Sequence, residues 1–209
     1  MYLYGPIGND WFGDGITAKQ FADGLKSLGN VSTIDVRIDS EGGLISDARA
    51  IYTQLTQHKA TINTYIDGIA ASAASWIAMA GEKIYMAEGG WLMIHEAQGG
   101  ARGTWEEIAK ASEILRGLNE SIVKTYADRT KNSVEKVRSW MTAETWMDGV
   151  TALERGFATH LMENKRAVAS LSVEGSKCYH NAPSSLQPRR AYATELLKRA
   201  RALTSQKVF

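Results

Sequence analysis

Between residues 31 and 95, segments of strand-like pattern alternate with segments of helical spacing, and this alternation limits the fold more than any other feature. VSTIDVRID (31–39) puts Ile34, Val36 and Ile38 on one face at a period of two, which predicts a strand. SEGG (40–43) predicts a tight turn. Ala48, Ile51, Tyr52 and Leu55 then recur as the inner face of an amphipathic helix. TINTYID (61–67) predicts another strand, and from Gly68 the small residues of GIAASAASWIAMAG predict a closely packed helix. KIYMA (83–87) and WLMIH (91–95) add two short strands, and YLYGPI (2–7) reads as the first. Strands separated by helices pair in parallel, so the expectation is an α/β core with a largely parallel sheet.

Capping signals bound the helices. T17-A-K-Q20 is a capping box ahead of Ala18, Phe21, Ala22, Leu25 and Leu28, and Gly29 stops that run. T104-W-E-E107 opens a long helix over 104–130 with Ile108, Leu115, Leu118, Ile122 and Tyr126 in register. Helices near 133–141 and 148–155, a C-cap at Gly156 and a last strand over FATHLM (157–162) complete the body.

The composition then changes. The segment 165–188 lacks periodicity and holds Pro183 and Pro188, two of the three prolines. The expected organisation is a folded domain over 1–164, a linker over 165–190 and a basic tail over 191–209. Leu196, Leu197, Ala200 and Leu203 would share one face if the tail is helical. The net charge of +1 conceals a split: residues 1–164 sum to −6 and residues 165–209 to +7. Such a tail could meet an acidic partner, or nucleic acid weakly, by charge alone; equally, it could be a solvated terminus. The single cysteine, Cys178, leaves no intramolecular disulfide framework or multi-cysteine zinc site, and no metal is expected. With no apolar run of membrane-spanning length and no basic flank at the N-terminus, the expectation is a cytosolic protein without a membrane partner.

Three positions carry the chemistry. Ser72 falls at a strand-to-helix corner, where free N–H groups can stabilise an oxyanion. Ala70, Ala71, Ala73 and Ala74 leave its hydroxyl reachable, although a packing corner reads the same way. SEGG lies at the C-terminal end of a strand, the edge at which open α/β sheets collect ligands. WLMIH delivers His95 at a strand end, and histidine is the usual general base near neutral pH. His58, His160 and His180 have no comparable setting. There is no G-x-S-x-G elbow.

GIAAS (68–72) resembles the G-x-A-A-S box of the ClpP-like serine proteases, SEGG resembles their S-P-G-G turn with Glu41 in place of proline, and LMIH resembles their M-I-H box. The resemblance covers roughly residues 2–162. It implies a ClpP/crotonase-like spiral core of repeated β-β-α units, with the 104–130 helix as a protruding handle. It further implies Ser72 as nucleophile, His95 as general base, and the N–H groups of Gly43 and Ala73 as oxyanion hole. Gly42, Gly99 and Gly100 would line the substrate channel. The aligned acid is Glu144, where housekeeping members carry aspartate; Asp148 reads better as a helix N-cap.

The implied partners are polypeptide substrates and other copies of the chain in a ring; no cofactor is implied. The housekeeping branch places a helix and axial loops ahead of its first strand, to meet an ATP-driven unfoldase, whereas here the first strand opens at residue 2. The YGPIGNDWFG stretch, Glu144 and the ETW motif (144–146) resemble phage head-maturation proteases, which cut scaffold and capsid proteins and often themselves. A degradative Clp-type subunit, an acyl-CoA enzyme sharing the core, and an inactive structural subunit are the competing expectations.

Overall fold

The computed structural model describes residues 1–9, 15–162 and 169–186. The chain divides into two compact units, Met1–Ala169 and Ser170–Phe209. Within the second, a helical turn at Gly175–Cys178 and a 3-10 turn at Ser184–Leu186 are described, and the Leu171 amide donates to the Leu186 carbonyl at 2.9 Å. The tail over 191–209 lies outside the described residues.

The first unit is an α/β fold. Its strands are β1 (Tyr2–Tyr4), β2 (Thr33–Ser40), β3 (Thr61–Ala71), β4 (Lys83–Ala87), β5 (Trp91–Ile94), β6 (Thr145–Asp148) and β7 (His160–Met162). Its helices are α1 (Ala18–Ser27), α2 (Ile45–Thr56), α3 (Ala73–Ala78), α4 (Trp105–Thr130), α5 (Val134–Thr142) and α6 (Gly149–Glu154). Both expected capping boxes are formed, at Thr17/Gln20 and Thr104/Glu107. The strands β1, β2, β3, β4 and β7 lie side by side, all parallel. Partway along, β3 changes neighbour. Residues 63–66 pair with β4, and Ile69–Ala71 pair with β5.

Two expectations are corrected here. The third strand does not stop at Gly68 but runs to Ala71, and α3 is only six residues long. Glycine and alanine suit either element, and the backbone partners offered by β5 decide for strand. Gly68 is needed for a close approach: a β-carbon there would lie 2.5 Å from Asp39 Oδ1, which accepts the Ile69 N–H. The second correction is β6, for which TWMD was too short to signal a strand. It adds antiparallel to β5.

One face of the sheet is the core. Leu3, Val36, Ile38, Ile62 and Ile66 meet Phe21 and Leu25 of α1, Ala48, Ile51 and Leu55 of α2, and Trp76 and Ile77 of α3. The other face carries Tyr65, Tyr85 and His160 in a continuous stack, with centroids 4.6 and 4.7 Å apart. Of α4, only Ile122, Val123, Tyr126 and Ala127 are buried; its first half leaves Trp105 and Ile114 exposed.

Candidate active site

Ser72 is the single residue between β3 and α3 and has φ 54°, ψ −124°. A side chain with positive φ is strained by about 1–3 kcal/mol and persists only where its surroundings hold it. They do so from both sides. The Ser72 N–H donates to Met93 O of β5 at 3.0 Å. Its carbonyl accepts from the Ser75 N–H at 3.0 Å and the Ser75 hydroxyl at 2.6 Å.

His95 follows β5 directly, and its Nε2 lies 2.7 Å from Ser72 Oγ. Burial pushes the imidazole below its ordinary value, and the charges of Glu144 and Glu96 oppose that shift. The neutral ring is therefore the prevailing form near pH 7, and its Nε2 can accept a proton when Nδ1 carries the hydrogen.

Glu144 sits between α5 and β6 with φ 46° and is 7% exposed. The β5–β6 ladder pairs Trp91 with Asp148 and Ile94 with Thr145. The ladder ends there, His95 and Glu144 are the next residues on the two chains, and the Glu144 charge acts on the His95 ring. Trp146 Nε1 donates to Glu144 Oε1 at 3.3 Å. Asp148 is at the far end of this ladder, where it caps α6 and accepts from the Thr151 N–H at 2.8 Å.

The SEGG turn abuts the serine corner. A β-carbon on Gly42 would lie 2.8 Å from Ser72 Cβ and 3.1 Å from Ala73 N. The Gly43 and Ala73 N–H groups make no hydrogen bond among the described residues. Beside Ser72 a cavity of about 20 Å³ is walled by Ile45, Trp76, Ala97, Ile122 and Tyr126. That is room for about one water-sized group.

Gly99 and Gly100 are not part of this cluster. They line a separate groove of about 340 Å³ with Ile108, Ala111, Ile114 and Leu115 of α4. Sequence reasoning passed over Ser75, Trp76 and Tyr126, all at the serine corner. Ser75, a polar residue inside an apolar six-residue helix, was the one available signal.

A family model described as Clp protease matches residues 14–165. ATP-dependent Clp protease proteolytic subunits from Streptococcus pneumoniae strains Hungary19A-6 and CGSP14 are each 30% identical to the chain over 168 residues. The match covers 78% of this chain and 84% of each relative. With a family model over residues 14–165 and relatives 30% identical over 78% of its length, the chain belongs to the Clp protease family.

Proposed function

We propose that this protein is a serine endopeptidase in which Ser72 attacks a peptide carbonyl while His95 takes its proton. The 2.7 Å contact between His95 Nε2 and Ser72 Oγ, at a corner held in strained geometry, is the observation that carries this reading. Glu144, whose charge acts on His95, keeps the imidazole in the tautomer that leaves Nε2 as the acceptor and stabilises the imidazolium. The N–H groups of Gly43 and Ala73 receive the oxyanion. His95 then returns the proton to the leaving amine, and water, activated the same way, releases the acyl group. An extended substrate would lie along Gly99 and Gly100 by strand addition, with Gly42 letting its backbone approach the serine.

The proposed substrates are phage scaffold and capsid proteins, cut during head maturation by a ring of copies of the chain. Glu144 in the acid position, the ETW motif and the YGPIGNDWFG opening support this. A second reading, a proteolytic subunit working with an ATP-driven unfoldase, is favoured by the name of its Streptococcus pneumoniae relatives.

The test is intact-mass spectrometry after treatment with a fluorophosphonate, run on the wild type and on Ser72→Ala. One adduct on the wild type and none on the variant is expected. An unmodified, folded wild type overturns the mechanism. Cleavage of a folded scaffold protein without unfoldase or ATP supports the maturation reading; dependence on both supports the second.

A further inference from the structure

The Ser75–Tyr126 pair is polar, buried and unused by the mechanism above. Ser75 is 0% exposed and Tyr126 2%, and their hydroxyl oxygens are 2.9 Å apart. Two buried hydroxyls in an apolar core are costly unless satisfied. Their hydrogens can be assigned. The Ser75 hydroxyl is 2.6 Å from the Ser72 carbonyl, which can only accept, so Ser75 must spend its one hydrogen there. Tyr126 is therefore the donor to Ser75. Full burial raises the phenol far above its ordinary value, so the donated proton stays in place at any working pH. The relay runs from α4 through α3 to the serine: Tyr126 O–H to Ser75 Oγ, and Ser75 O–H to Ser72 O.

The end of that relay matters because a peptide unit is planar. The Ser72 carbonyl and the Ala73 N–H are the two ends of one peptide group. Fixing the direction of the carbonyl fixes the direction of the N–H opposite it. Hydrogen bonds accepted by the carbonyl also polarise the group and strengthen the N–H as a donor. We propose that Tyr126 is a positioning residue which, through Ser75, aims and polarises the Ala73 N–H of the oxyanion hole. This deepens the peptidase reading and rests on it. The effect is felt where negative charge develops, in the transition state, and not in the binding of an uncharged substrate.

Tyr126→Phe separates this from simple packing, since phenylalanine fills the same space and leaves the Ser75–Ser72 bond in place. On a fluorogenic peptide, kcat is expected to fall roughly three- to tenfold, the rate equivalent of one neutral hydrogen bond, with KM unchanged. Affinity for a peptide boronate, which forms a tetrahedral adduct on the serine, should weaken by a similar factor. Ser75→Ala, which removes the direct bond, should show the same pattern more strongly, and the double variant should cost no more than Ser75→Ala alone. A Tyr126→Phe enzyme with wild-type kcat and boronate affinity overturns the proposal. So does a loss in which kcat and KM move together with the melting temperature. A wild type that takes no fluorophosphonate adduct overturns the underlying peptidase reading instead, and this one with it.

Discussion

His95 must be neutral to act as a base, and its surroundings favour that form. Burial lowers its pKa, while Glu144 pulls the other way. Activity should therefore rise with pH along a limb whose midpoint lies below 6.5, the ordinary imidazole value. Glu144→Gln removes an opposing charge, so the limb should shift to still lower pH as the maximum rate falls. A pH profile of kcat/KM on both proteins measures this; a limb that moves upward in the variant contradicts it. Stability carries the same sign. The unfolded histidine takes up a proton that the folded one resists, so His95 destabilises the fold as pH drops below 6.5 and has no effect well above it. At this scale His95 was legible from the strand that ends just before it, whereas Ser72 stood out through the GIAAS resemblance, since the end of its strand was expected at Gly68. Ser75 and Tyr126 were not, because they are 51 positions apart and meet only in the folded core.

At the scale of elements, the site depends on two neighbours of the serine corner, the SEGG turn and the β5–β6 ladder. Gly42 has φ 101° and almost no space beside it. Gly42→Ala would strain the turn and press on Ser72 Cβ and Ala73 N, in the proposed nucleophile and oxyanion donor. A stability loss of about 1 kcal/mol or more is expected, with a fall in fluorophosphonate labelling rate larger than that loss explains. Thermal melts paired with labelling kinetics decide it, and an unchanged labelling rate would count against the role of this turn. The ladder separates two carboxylates that sequence alone left in competition. Asp148→Ala removes a cap and should cost about 1 kcal/mol of stability while sparing the labelling rate. Glu144→Gln should leave the melt near wild type and slow peptide hydrolysis on the order of 10³-fold or more. The reverse pattern would make Asp148 the acid. Glu144 stayed ambiguous in the sequence because its position is set by β6, four residues with no resolvable alternation. The end of β3 was misplaced for a related reason: GIAA has no large side chains, so no period distinguishes strand from helix.

For the molecule as a whole, the alternation of strands and helices made the parallel sheet legible, whereas nothing in the pattern told which apolar residues of α4 would be covered. Helical spacing put Ile108, Leu115, Leu118, Ile122 and Tyr126 in register without telling which are covered. In the structure the burial is confined to the second half, and the first half carries Trp105 at 76%, Ile108 at 46% and Ile114 at 67% exposure. Ile108 and Ile114 line the groove along Gly99 and Gly100; beyond the strip proposed for substrate, the exposed apolar surface of α4 has no use in a lone chain. The proposed ring assembly gives it one: another copy of the chain, packed against the same helix. Ile114→Glu should then lower the assembly state seen by analytical ultracentrifugation, since a carboxylate buried without a partner opposes association. From α4 the serine corner takes Ile122 and Tyr126, both more than two turns beyond Ile114, so fluorophosphonate labelling of a dissociated but folded variant discriminates two kinds of enzyme. Labelling at the wild-type rate means that a single chain holds the complete active site and that assembly serves only to enclose substrates. Labelling lost together with assembly means that α4 transmits the state of the ring to Ser72, and Tyr126, on the buried half of that helix, is the residue through which it would do so. An unchanged sedimentation profile would show that this surface is not where copies meet.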